Sequence, residues 1–150
     1  MSVSTVPAVL DALVQRVGLA LPGVQVTDGQ PVDVEPPDTV CIGFTGTPGE
    51  AVVVSMLSPE QMAVTPDRES YTVACVASCW KGHERDAKAV RDRAYALVDA
   101  VDAELARDPT LGGLVLRARL ATEELIPEQT AEGALATVKF SVSVDAFAGR

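Results

Sequence analysis

Two cysteines and the chain's only histidine stand at four-residue intervals in CVASCWKGH, residues 75–83. On a helix that spacing would turn Cys75, Cys79 and His83 toward one point, where thiolate and imidazole ligands could hold a zinc ion. The surrounding residues argue for a different backbone. Tyr71, Val73, Cys75, Ala77 and Cys79 alternate with Thr72, Ala74, Val76, Ser78 and Trp80. This two-residue period, rich in β-branched and aromatic side chains and largely apolar on both faces, predicts an inner strand over 70–80. At about 3.3 Å per residue the two cysteine α-carbons would lie about 13 Å apart, whereas two sulfurs each about 2.3 Å from one zinc lie within about 4.6 Å of each other. The trio is therefore expected to hold no metal, and its sulfurs to be small core or interface fillers.

Other chemistry fares no better. A cysteine or serine nucleophile needs a base within hydrogen-bond reach, and the single imidazole, His83, sits beside Glu84 and Arg85 where a turn leads into a helix. No GxSxG stretch occurs. Glu123 and Glu124 are adjacent, so they would point to opposite faces of a strand or hang from a loop, a poor arrangement for an acid and base pair. The glycines of GFTGTPGE, at 43, 46 and 49, suggest a phosphate cradle, but the Gly-Lys-Ser/Thr ending and a following helix are missing and Glu50 would oppose the phosphate. That stretch reads as a turn. The sequence predicts no catalytic residue, no cofactor and no enzymatic activity.

The elements around these residues follow from periodicity. In VPAVLDALVQRVGLAL, residues 6–21, Val6, Val9, Leu10, Leu13, Val17 and Leu21 form one apolar stripe, with Ser4 or Thr5 to cap it, Pro7 in its first turn and Pro22-Gly23 to stop it. A short strand is expected at VQV, residues 24–26, a strand at 38–44, and another at 51–57 pairing with it as a hairpin, followed by a loop. A second helix over 84–107 buries Val90, Ala94, Leu97, Val98, Val101 and Leu105, and Pro109 with Gly112-Gly113 closes it. Strands are expected at 114–121 and 134–147, separated by the acidic EELIPEQTAEG, with Ala136, Val138, Phe140, Val142 and Val144 on one face of the last. Together these predict one α+β domain over 1–150: a mixed or mostly antiparallel sheet of about four to five strands, two amphipathic helices on one face, and a long loop or hairpin around 45–67.

The totals restrict what such a domain meets. A chain of 150 residues, 47% hydrophobic and 4% aromatic, builds its core from Val, Leu and Ala without needing a metal or disulfide. Three cysteines do not form a disulfide framework and suit assembly in a reducing cytosol. No apolar run approaches the roughly 20 residues needed to cross a bilayer, and no basic residue precedes Arg16, so neither a membrane span nor a signal peptide is expected. The net charge is -9, and residues 17–67 carry seven acids and no Lys or Arg, which argues against a grip on nucleic acid. Asp28, Asp33, Glu35, Asp38 and Glu50 belong to this acidic half.

The second helix runs against its dipole. Lys81, Arg85, Lys88, Arg91 and Arg93 gather around its start and Asp99, Asp102, Glu104 and Asp108 toward its end, an order that costs a few tenths of a kcal/mol per charge. Two compensations are open: local pairs such as Glu84 with Lys88 and Lys88 with Asp92, or a head-to-tail contact in which the basic end of one copy meets an acidic surface of the next.

An amphipathic first helix, the strand YTVACVASCWKG, the helix DAKAVRDRAYALVDAVDAELARDPTLGG and a final VKFSVSVDAF together resemble the tail terminator proteins of long-tailed, siphovirus-type bacteriophages. The likeness runs from about Val6 to Phe147, lies in order and pattern, and is clearest between Tyr71 and Gly113. It implies a structural virion protein, assembled in the host cytoplasm and located at the head-proximal end of the tail. In that family six copies form a ring that caps the tail tube, ends tube polymerisation and gives the head its docking surface. The implied partners are the chain itself, the tail tube protein and a head-tail connector or neck protein, with DNA passing through the ring unbound and no membrane involved. Residues 28–38 or the loop 45–67 are then expected to face the lumen or the tube protein. Head-closure and neck connector proteins share this small α+β build and give the alternative reading. A small bacterial ligand-binding or enzyme domain would need a pocket with convergent polar groups.

Overall fold

The computed structural model describes residues 3–31, 38–58, 67–82, 86–130 and 133–148. The chain forms α1 (Val6–Ala20), β1 (Gln25–Asp28), β2 (Asp38–Ile42), β3 (Met56–Ser58), β4 (Arg68–Gly82), α2 (Ala87–Arg107), β5 (Arg117–Thr130) and β6 (Gly133–Phe147). The strands make one six-stranded mixed sheet in the order β1-β2-β4-β6-β5, with β3 also paired to β4. Only the β1–β2 pair is parallel.

The inner strand expected over 70–80 is β4, and it runs from Arg68 to Gly82. It pairs along its whole length with β6, from Arg68 opposite Phe147 to Gly82 opposite Gly133. Because successive side chains alternate across a sheet, this register turns Tyr71, Val73, Cys75, Ala77 and Cys79 to the same side as Ala136, Val138, Phe140, Val142 and Val144. All ten are buried. The stripes of α1 (Val9, Leu13, Val17) and α2 (Val90, Ala94, Leu97, Val98, Val101, Leu105) close over that face as one core. The layer arrangement is therefore α+β with both helices on one side.

The sheet has six strands, more than the four to five expected, and among the boundaries that differ from the sequence reading three matter most. The acidic stretch after 121 is not a loop: β5 continues through it to Thr130 and pairs with β6 down to Gly133. An edge strand with one solvent-facing side tolerates Glu123, Glu124, Pro127 and Glu128, and a register shift between Leu120 and Thr122 re-aims its side chains. The strand read at 51–57 is shorter, Met56–Ser58, and it pairs with β4 instead of β2. β2 occupies β4 at Cys75–Cys79, and the next stretch of the same β4 edge is bridged by Val53 opposite Val73 and then taken by β3. Helix α2 begins at Ala87, where the Asp86 carboxylate accepts the Ala89 N–H and caps it.

Below α2 the chain turns through Asp108–Gly113. The buried Leu111 adopts φ 51 and Gly112 and Gly113 adopt φ 73 and 88, a left-handed run that costs least at glycine. Asp108 pins the turn by accepting from Arg16 at 2.5 Å, from Gly112 N–H at 2.9 Å and from Thr110 at 3.1 Å. The end of α2 is thereby tied to α1.

Leu13→Ala removes a side chain at the centre of the helix–sheet layer and should lower unfolding free energy by roughly 2–5 kcal/mol, read from the urea midpoint. Leu19→Ala, on the exposed side of the same helix, should leave that midpoint nearly unchanged.

Candidate functional site

Cys75 and Cys79 lie buried on the helix-facing side of β4, four residues apart along an extended strand. Burial pushes both thiols up to about 12, and Asp38 beside Cys79 pushes in the same direction. Cys41 is buried too, and burial raises its thiol. None of the three presents a thiolate at neutral pH. His83 falls outside the described residues, and among those described no group of three His, Cys, Asp or Glu side chains is placed to hold a metal ion.

The helix charges largely meet partners within the chain. Arg93 reaches both carboxylate oxygens of Asp38 at the start of β2, and these hydrogen bonds raise its pKa. Two residues considered for different surfaces thus form one fork between α2 and the sheet. Lys88 pairs with Asp92 at 2.5 Å, as the i,i+4 spacing led one to expect, and Arg91 adds a contact to the same carboxylate at 3.4 Å. Glu104 is paired with Arg107. Asp99 and Asp102 are exposed on α2, Asp28 is exposed at the end of β1, and Glu50 is exposed in the turn before β3. Arg85, Asp33 and Glu35 lie outside the described residues.

The most tightly organised polar cluster was not singled out by motif. Glu69 is 1% exposed, the only buried charged or polar residue among those described. It faces the helix layer from β4, and its two carboxylate oxygens accept four hydrogen bonds: from Ser4 Oγ at 2.5 Å, Thr5 N–H at 2.9 Å, Thr5 Oγ1 at 2.7 Å and Ser55 Oγ at 2.8 Å. Tyr71 OH lies 2.8 Å from Thr5 Oγ1. Ser4 Oγ also accepts the Val6 N–H at 3.1 Å just ahead of the helix, while Thr5 is the N-cap residue but makes no side-chain cap hydrogen bond, because its hydroxyl serves the glutamate. Burial raises the Glu69 pKa, but the four hydrogen bonds outweigh it and the pKa is lowered overall. The cluster joins the start of α1, β4 and the segment just before β3, with no cation among the described residues. The sequence held one signal for it: Glu69 shares the odd parity of Tyr71, Val73 and Cys75, which places a carboxylate on the buried side.

Outside the core, large apolar side chains gather near sheet edges. Val54 is 73% exposed, Met56 71% and Leu57 51%, all on the segment that forms β3; Phe147 and Leu116 are exposed at the same end of the sheet, and Trp80 and Ile126 toward the other. No strand among the described residues pairs with the outer side of β3 or of β5. A groove of about 460 Å³ runs between the last turns of α2 and the start of β5, lined by Leu105, Ala106, Pro109, Leu116 and Ala118, with Asp102, Arg117 and Arg119 at its rim. A second groove, about 550 Å³, lies between the C-terminal turns of the two helices and is lined by the paired Arg16, Asp108, Glu104 and Arg107 together with Leu19.

No protein-family model matches the chain, and no curated protein matches it.

Glu69→Gln should destabilise the fold by roughly 2–4 kcal/mol, because an amide offers an N–H₂ where donors already converge. A glutamate whose folded pKa lies below its unfolded value adds stability that is fully present above the ordinary glutamate pKa and is lost as pH falls through the lowered value. The loss of stability on acidification should therefore be shallower in the variant than in the parent, measured by thermal melts from pH 7 down to pH 3.

Proposed function

We propose that this chain is a non-enzymatic virion subunit, several copies of which close into a ring on the head-proximal end of a phage tail tube. The ring stops tube polymerisation and gives the head its docking surface. Six copies, the tube protein and a connector or neck protein as partners, and passage of DNA without specific binding follow from the resemblance in element order.

The observation that carries this reading is where the surface keeps its apolar side chains. The core is already filled by the helix stripes and β4–β6, yet Val54, Met56, Leu57, Phe147 and Leu116 stay exposed near sheet edges that have no strand partner among the described residues. Exposed apolar side chains kept at two such edges suit a protein that works by packing against other chains. Electrostatics supports the same reading. Asp38 is engaged by Arg93, so Asp28, Glu50 and Asp67 are the described acids of the basic-free half that remain available to line a channel. Carboxylates there would repel the DNA backbone and let it slide.

The test is to incubate the purified protein with tubes polymerised from the tube protein of the same virion, and to image the ends by negative stain. Capped ends and tubes that cease to lengthen are expected. Bare ends with continued growth would sink the reading, and density on filled heads in place of tubes would move the chain to the head-closure class.

A further inference from the structure

The exposed β3 segment and the α2–β5 groove stand at opposite edges of the sheet but at the same level. Met56 pairs with Ser70, Ser70 with Asp145, and Asp145 with Arg117, so one cross-strand row runs from β3 through β4 and β6 to β5. Its ends are about 14 Å apart at three interstrand spacings. Along that row each strand is antiparallel to the next. A neighbouring copy displaced along the row therefore brings its β3 beside β5 in the antiparallel sense, the relation β3 already has to its own β4.

The surfaces match in chemistry, and Leu57 matches the groove in side. Leu57 pairs with Glu69 and so points toward the helix layer. The groove lies on that layer's side of β5, with Leu105 and Ala118 as its buried floor and Leu116, 44% exposed, at its lip. Arg117 and Arg119 form no ion pair among the described residues. The β3 arm comes from the half of the chain that has acids and no bases, with Glu50 before it and Asp67 beside it, both exposed. Arg68, the nearest base, stacks on Phe147 at 5.9 Å. Asp102 is the one acid at the groove.

We propose that the β3 arm of one copy packs against the β5 edge of the next copy in a head-to-tail contact, Leu57 entering the α2–β5 groove while Met56 and Val54 lie along the opposite face of the sheet, the face on which Arg117 and Arg119 meet that neighbour's acidic edge. The contact is heterologous and closes into a ring when the rotation between neighbours closes. It is made by side chains at Ala118, because Pro109 C=O already accepts the Ala118 N–H at 2.7 Å. It specifies the interface that the ring reading requires, and rests on that reading for the number of copies.

Two single variants test it, Leu57→Cys and Leu116→Cys, in full-length protein. Both sites are exposed, so unchanged melting temperatures are expected, and the three native thiols are buried and do not compete. Each variant is oxidised alone and as an equal mixture, in concentrated solution and on tail tubes. A disulfide-linked dimer that forms in the mixture and not with either variant alone supports the contact. Leu57→Cys linking to itself would indicate a two-fold contact and overturn the proposal. Capped tubes or a ring-sized mass with no cross-link in the mixture would overturn this interface and leave the ring reading intact, whereas a mixture-specific cross-link on protein that never caps tubes would keep the interface and defeat the terminator reading. Absence of both would overturn both. Arg117→Glu combined with Arg119→Glu should also abolish the cross-link while leaving the melting temperature in place.

Discussion

Fifteen consecutive residue pairs, from Arg68 opposite Phe147 to Gly82 opposite Gly133, fix everything else about this fold. Register in an antiparallel pair leaves no partial freedom: a slip of one residue would exchange the two faces of β4, sending Val73, Cys75 and Ala77 to solvent and Thr72, Ser78 and Trp80 beneath the helices. The ladder is locked because both strands carry matching patterns. β6 alternates buried Ala, Val and Phe with Thr, Lys and Ser, and β4 answers it residue for residue. The helices then have only one face to cover, and β2, β3 and β5 take the remaining backbone edges.

That ladder also explains what could be read from the sequence. The two-residue period of β4 and β6 and the helical stripes of α1 and α2 are dictated by burial, and burial leaves a signature in the order of residue types. The strand nature of 70–80, the side on which its cysteines lie, and the placement of both helices on one face were therefore legible. The second half of β5 was not, since Glu123, Glu124, Pro127 and Glu128 have the composition of a loop. What holds them extended is pairing with β6, a contact to residues more than ten positions away along the chain for Glu123 and Glu124, and an edge strand asks little of its own side chains. Pairing of β3 with β4 instead of β2 was hidden for a similar reason: either hairpin satisfies the local pattern, and the choice is made by where β2 has already docked.

Charge behaves in the same divided way. The adverse order of charges on α2 was visible, but its remedy depends on tertiary distance: Arg93 forks onto Asp38, fifty-five positions earlier in the chain, and Arg16 holds Asp108 at the far end of the helix. Exposed pairs of this kind contribute little to stability individually, generally below about 1 kcal/mol. Their larger effect is on what remains. Once α2's bases are engaged within the chain, Arg117 and Arg119 stand out on β5 as cations with no ion-pair partner among the described residues, and they adjoin an apolar groove.

Glu69 holds the edge that the proposed contact would use. Its carboxylate takes hydroxyls from Ser4, Thr5 and Ser55 and so binds the residues that lead into α1 and the segment leading into β3 to the start of β4. A three-residue strand at a sheet edge, paired on one side only, would otherwise have little to hold it against fraying. With Ser55 anchored beneath it, the segment displays Val54, Met56 and Leu57 in a fixed arrangement, and a neighbour that receives them need not supply the entropy of ordering the arm. The buried charge is thus better understood as a device for presenting an apolar edge than as a source of chemistry, since all four of its hydrogen bonds are spent on positioning backbone that has no catalytic partner among the described residues.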